Sequence, residues 1–119
     1  MGYEVWDVVH VPAYPNQENQ KEFTARPVII IEDLQDEVAI CPVTKQLHQA
    51  ANYSYAFIIM KNSPEGRQMG LTFDSLIVLD RIAQFKKIRL LDCIGSCPDS
   101  VIEKIEELLR KMKEDGGSI

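Results

Sequence analysis

The chain has 119 residues, 45% hydrophobic and 26% charged, with a formal net charge of −5. That length suits one domain able to bury a core without disulfides or a structural metal. No run reaches the roughly 18 apolar residues of a membrane span, and an acidic chain argues against wholesale binding to duplex nucleic acid, which asks for a basic face.

The first residues, Met1-Gly2-Tyr3-Glu4-Val5-Trp6-Asp7, lack a basic region followed by an apolar stretch. They do not read as a secretory signal, and the expected location is cytoplasmic. Three cysteines, Cys41, Cys93 and Cys97, make a poor disulfide framework, and reduced thiols fit that compartment. Cys93 and Cys97 have no second pair to complete a zinc site, so all three are expected to be structural thiols.

The first predicted strand is Tyr3 to Val11, aromatic and β-branched, stopped by Pro12. A long polar loop follows to Ala25, of a length that tends to mark a functional lid or a disordered segment. The second strand is Pro27 to Ile31. An acidic hairpin, Glu32 to Glu37, leads into the third, Val38 to Val43. After a loop from Lys45 to Asn52, a fourth strand runs Tyr53 to Met60, and Lys61 to Gly66 is a turn cluster. Ser75 to Leu79 and Ile88 to Leu91 complete six strands. Continuous apolar runs imply burial on both faces, for which a second subunit is one cover. The C-terminal helix is the clearest element: Ser100 and Glu103 have capping-box spacing behind Pro98, and Gly116-Gly117 ends it. Val101, Ile105, Leu108 and Met112, flanked by Ile102 and Leu109, form its apolar stripe. The fold class is mainly β with one terminal helix, in a single domain over residues 1–119.

Taken singly, the chemistry-bearing residues have ordinary readings. Arg26 is a solvated cation, Thr44 a strand-end hydroxyl and Asp80 a turn cap. His10 on a strand and His48 in a loop read as unrelated histidines, and Trp6 as a core anchor. No phosphate-cradling glycine loop, zinc-protease helix motif or nucleophile elbow is present.

Four colinear pieces change the weighting. They are Trp6-Asp7-Val8-Val9-His10-Val11 running into a proline-bearing loop, Arg26-Pro27 opening a run of aliphatics, Cys41-Pro42-Val43-Thr44, and Gly70-Leu71 followed by Ser75 to Ile82. Ile94-Gly95 and the terminal helix come after. In this order and spacing, across nearly the whole chain, they resemble the MazF/PemK toxins. The resemblance implies an SH3-like β-barrel of the CcdB/MazF type and a homodimer neutralised by a cognate antitoxin protein. It also implies operator DNA as a partner of the toxin–antitoxin complex.

The activity it implies is metal-independent endoribonuclease cleavage of single-stranded RNA, with no cofactor. The ribose 2′-hydroxyl attacks the adjacent phosphate, which asks for a base, a proton donor and charge stabilisation at phosphorus. By the same resemblance Arg26, Thr44 and Asp80 are the candidate catalytic residues. Arg26 offers forked donors to phosphate, and Pro27 restricts its backbone. Thr44 would bond the scissile phosphate and Asp80 would serve as an acid–base group. Pro42 and Lys45 flank Thr44 and join Arg81 as candidate substrate contacts. The long loop adds Lys21 and, as stacking platforms for unpaired bases, Tyr14 and Phe23.

The chain departs from the family pattern at named positions. Trp6 and Ala25 stand where glycine is frequent, Lys45 follows Thr44 in place of a hydroxyl residue, and Arg81-Ile82-Ala83-Gln84 follows Asp80. Lys45 or Arg81 is a candidate replacement cation. Two alternatives stay open: a gyrase-binding toxin like CcdB, whose Trp-Gly-Ile ending this chain lacks, and a catalytically silent relative that only binds a partner or nucleic acid.

Overall fold

The structure is a computed structural model, and it describes residues 3–12 and 25–116. Tyr14, Lys21, Phe23 and nearly all of the long loop lie outside the described residues. Seven strands are described: β1 (Asp7–Pro12), β2 (Ala25–Asp33), β3 (Glu37–Thr44), β4 (Ala56–Ile59), β5 (Ser75–Val78), β6 (Ala83–Lys86) and β7 (Cys93–Ser96). Two α-helices, α1 (Pro64–Gln68) and α2 (Asp99–Glu114), and three short 3-10 turns join them.

All strand pairs are antiparallel, in the order β4-β5-β3-β2-β1-β7, with β6 also on β3. β3 organises the sheet. One edge pairs with β2, from Val28 opposite Pro42 to Asp33 opposite Val38. The other edge is shared between β6 at Glu37 to Ile40 and β5 at Val43 and Thr44. Bulges between Ile30 and Glu32 of β2, and in β7 opposite Val8 and Val9, add the local twist that curls the sheet into a half-barrel.

The apolar runs are explained by that curl. Alternate residues Val8, Ile29, Cys41 and Val43 face the main core, under α2. Their neighbours Val9, Val28, Ile30 and Ile40 face a second cluster, closed over by Leu90, Phe85 and Tyr3. Both faces are therefore covered within one chain, and continuous hydrophobicity needs no second subunit to account for it. Burying residues such as Ile29 and Ile105, both fully inaccessible, contributes roughly 1.5–3 kcal/mol each.

Several boundaries differ from the sequence reading, each for a physical reason. The first strand starts at Asp7 rather than Tyr3, because Trp6 has a left-handed backbone with φ 78°. Trp6 stays tied in by its N–H to the Ile30 carbonyl (2.6 Å) and by its own carbonyl to the Cys97 N–H (2.8 Å). The fourth strand starts at Ala56, since the Ser54 and Tyr55 amides bond a carboxylate instead of a neighbouring strand. Ile88 to Leu91 is not a strand: Lys87–Arg89 is a 3-10 turn with Ile88 89% exposed. The strands of that region are β6 and β7, whose sequences Ala-Gln-Phe-Lys and Cys-Ile-Gly-Ser have little β propensity of their own.

The capping box does not form. α2 begins at Asp99 behind Pro98, without a side-chain cap, and the Ser100 hydroxyl reaches out to Glu65 at 3.4 Å. The predicted stripe does hold, with Val101, Ile105 and Leu108 buried and Ile102, Leu109 and Met112 packed beside them.

Two glycines of the resemblance lock the helical corner to the sheet. Gly70 has φ 73°, and a Cβ there would collide with the Ile94 carbonyl oxygen. A Cβ on Gly95 would collide with the Gln68 carbonyl and the Met69 backbone. The chain after α1 and strand β7 thus pass at backbone contact, a spacing only glycine allows.

Candidate functional site

The register that sets Val28 against Pro42 puts Arg26 opposite Thr44 when continued by two residues. The sheet edge opens there into a cleft of about 160 Å³, lined by Ala25, Arg26, Pro27, Val43, Thr44, Lys45, Gln46 and Phe73. Pro27 and Val43 are buried and supply an apolar wall. Arg26 and Lys45 are exposed, so the cleft holds two cations and no carboxylate within a chain of net charge −5. Neither cation forms an ion pair among the described residues.

Thr44 Oγ1 accepts a hydrogen bond from the Gln46 N–H at 3.2 Å. That local turn fixes the oxygen and leaves the hydroxyl proton to donate elsewhere. Chemically, the rim offers a forked guanidinium, an ammonium and a hydroxyl donor beside an apolar surface. Donors of these kinds are able to bond the oxygens of an oxyanion.

The other candidates fall elsewhere. Pro42 is half-buried within β3, opposite Val28, and does not line the cleft. Asp80 and Arg81 sit on the 3-10 turn Leu79–Arg81, at the far end of β5 from the Leu76 that pairs with Thr44. Asp80 uses both carboxylate oxygens on backbone: Oδ2 accepts from the Ser54 N–H at 2.9 Å and Oδ1 from the Tyr55 N–H at 2.8 Å. Arg81 is exposed on the same turn. Tyr14, Lys21 and Phe23 lie outside the described residues.

One arrangement escaped the sequence reading. His10 Nδ1 and Asp92 Oδ1 are 2.8 Å apart, and the chain is stapled at the same point by the His10 N–H to the Asp92 carbonyl (2.9 Å) and the Leu91 N–H to the His10 carbonyl (2.8 Å). The bond to His10 holds the Asp92 carboxyl below its ordinary range. They are 82 positions apart in the sequence, and no local pattern links the two.

The cysteines divide. Cys41 and Cys97 are buried, and loss of solvation pushes each thiol up to about 12. Cys93 is exposed. Among the described residues no three His, Cys, Asp or Glu side chains converge as a metal site would require, and no helix is long and apolar enough to cross a membrane.

The curled antiparallel sheet, its terminal helix and the cationic cleft at the β2–β3 end define a small half-barrel protein. A family model described as PemK-like, MazF-like toxin of type II toxin-antitoxin system matches residues 4–112, and the chain belongs to that family. The fold is that of solved MazF structures. Against the crystal structure of MazE-MazF from Deinococcus radiodurans, the chain superposes with a TM-score of 0.65 at 14% identity, covering 98% of this chain and 97% of that one. Against an endoribonuclease in complex with its cognate antitoxin from Mycobacterial species, the TM-score is 0.59 at 14% identity, covering 90% and 88%. A search of curated proteins returns no match.

Proposed function

We propose that this toxin is a metal-independent endoribonuclease that cleaves single-stranded RNA and is neutralised by a cognate antitoxin. The observation that carries the reading is the gathering of Arg26, Thr44 and Lys45 in one cleft free of carboxylates. In the reaction the 2′-oxygen forms a bond to phosphorus as its proton leaves, and the bond from phosphorus to the 5′-oxygen breaks. The products are a 2′,3′-cyclic phosphate and a 5′-hydroxyl. Charge accumulates on the non-bridging oxygens, where the Arg26 guanidinium and the Thr44 hydroxyl are placed to donate. Lys45 neutralises a neighbouring phosphate and Phe73 offers an apolar surface to a base. Asp80, held by two amides, orders the entry to β4 in this scheme. Pro42 and Arg81 contact the RNA strand away from the scissile phosphate in this scheme.

The antitoxin as partner is supported by the family and by the complexes in which structurally similar chains were solved. A homodimer, and operator DNA bound through the toxin–antitoxin complex, belong to the same reading. Sedimentation of the purified chain tests the dimer.

The test of the activity is incubation of the purified protein with a long single-stranded RNA in EDTA, beside Arg26→Ala and Thr44→Ala. The expected result is discrete fragments ending in cyclic phosphate, with rates lowered by about 10²-fold or more in each variant. Intact RNA across many sequences, from folded protein free of antitoxin, overturns the reading and points to a protein target.

A further inference from the structure

Beside Arg26, Thr44 and Lys45 the cleft has one more polar side chain, Gln46, to which the phosphate chemistry gives no part. It stands at the N-cap position of the 3-10 turn Leu47–Asn52, yet its side chain does not cap that turn. Its N–H donates to Thr44 Oγ1 at 3.2 Å, so the residue is joined directly to the hydroxyl assigned to the scissile phosphate.

Gln49, one turn further on, holds the Gln46 side chain. Gln49 Nε2 donates to Gln46 Oε1 at 2.7 Å, and the Gln49 N–H donates to the Gln46 carbonyl at 3.0 Å. Two bonds between the same two residues fix the amide against the turn. The direction of the side-chain bond is set from its other end. Gln49 Oε1 accepts from the Tyr53 hydroxyl at 3.4 Å, which leaves Nε2 as the end of Gln49 that faces Gln46. Gln49 is not among the residues lining the cleft, so Gln46 Oε1 is spent outside it. The end of the amide left for a ligand is Nε2, with two N–H donors.

A single-stranded RNA is read at the edges of its unpaired bases. Uracil and guanine carry an exocyclic carbonyl oxygen there, O4 or O6, where cytosine and adenine carry an amino group, N4 or N6. An amide that presents N–H groups bonds the carbonyl and meets the amino group donor against donor. The cleft of about 160 Å³ is smaller than the roughly 300 Å³ of a drug-sized pocket, so it suits one flat ring, for which Phe73 supplies an apolar face.

We propose that Gln46 reads the base beside the scissile phosphate and selects a keto base, uracil or guanine, over cytosine and adenine. Gln49 is its positioning residue. The inference rests on the ribonuclease reading above.

The experiment is cleavage of an RNA pool with a randomised segment, in EDTA, followed by sequencing of the new ends. The parent chain is compared with Gln46→Ala, Gln46→Glu, Gln49→Leu and Arg26→Ala, with folding checked by circular dichroism. The parent should favour keto over amino bases about tenfold at one position flanking the cut. Gln46→Ala keeps its backbone N–H to Thr44 and should lose that preference. Gln46→Glu, whose side chain only accepts, should turn the preference toward adenine and cytosine, at a lower overall rate because it brings a carboxylate into the cleft. Gln49→Leu releases the amide to turn its oxygen outward, so the preference should fall below twofold. A loss of rate with the keto preference intact in Gln49→Leu overturns the positioning role. A folded Gln46→Ala with the parental profile overturns the base-reading assignment, while cleavage by the parent, lost in Arg26→Ala, leaves the ribonuclease reading intact. A parental preference for amino bases that Gln46→Ala abolishes means the amide faces the other way, and overturns the keto selection. A parent chain that cleaves no RNA overturns both readings.

Discussion

Trp6 is an awkward residue in its position. A left-handed backbone costs a bulky side chain roughly 1–3 kcal/mol, and glycine nothing comparable. The residue persists because its ring packs against the main core and its backbone bonds both Ile30 and Cys97. Two effects therefore oppose each other under substitution. Trp6→Ala loses the ring and keeps the strain, whereas Trp6→Gly loses the ring and relaxes the backbone. Urea denaturation should find both less stable than the parent, with Trp6→Gly the better by about 1 kcal/mol, reversing the usual advantage of alanine. Equal stabilities would mean that the backbone at Trp6 carries no strain. The thiols give a second check at this scale. Cys93 should react with an aromatic disulfide reagent in the native protein at pH 8. Cys41 and Cys97, buried and pushed up to about 12, should react only after unfolding. Arg26 and Thr44 were singled out by the order of short motifs, Arg26 directly before Pro27 and Thr44 two residues after Pro42, and the fold brings the two to one cleft. His10 was visible only as a histidine on a strand; its carboxylate partner comes from the far end of the chain and follows no local spacing.

At the scale of elements, the legible parts were those that carry their own physics. β2, β3 and β5 are runs of aliphatics, and α2 has a stripe at helical spacing. β6 and β7 are strands because β3 and β1 each have an edge to fill, and their sequences alone would not make them so. The same distinction explains the missing capping box. The Ser100 hydroxyl bonds Glu65 of α1 in place of an amide in the first turn of its own helix. The glycines of that corner make a stringent prediction. Gly95→Ala must displace the backbone at Met69, so the loss of stability should reach about 2–4 kcal/mol, while Gly116→Ala meets nothing within 4 Å and costs little beyond its positive φ. Asp80 is the tie at the opposite corner. Asp80→Ala frees the Ser54 and Tyr55 amides, which should exchange with deuterium markedly faster, with a stability loss of about 1 kcal/mol.

For the whole molecule, charge and pH set the terms of operation. On the proposed reading, a chain of net charge −5 with a carboxylate-free cationic cleft would repel RNA in general and admit it at that cleft. Binding of a single strand should therefore show a shallow salt dependence, a slope of roughly −0.7 for each phosphate neutralised, and Lys45→Ala should remove about one such increment. The C-terminal end of α2 is tied to the segment entering β4 by the Tyr55 hydroxyl, which donates to Asp115 Oδ2 at 2.7 Å. That bond raises the phenol above its ordinary value, so its contribution is complete below the unfolded tyrosine value near 10 and fades as pH rises through the folded one. Asp92 has the opposite sign. Its carboxyl is lowered, so the staple to His10 is complete above the ordinary aspartate value and lost as acid protonates it. Thermal melts of Tyr55→Phe and Asp92→Asn should approach the parent at high and low pH respectively.

The pairing of β1 with β7 has a consequence for how such a chain is made. Asp7 lies against Ser96, and β1 in turn pairs with β2, the strand that carries Arg26 and Pro27 of the cleft. Synthesis runs from the N-terminus, so Arg26 and Thr44 leave the ribosome long before the segment that completes the sheet around them. Contacts this distant in sequence form late, once the chain between them is available to close. On the proposed ribonuclease reading, a chain so constructed would be nearly complete before it held an assembled site to cut the message being read.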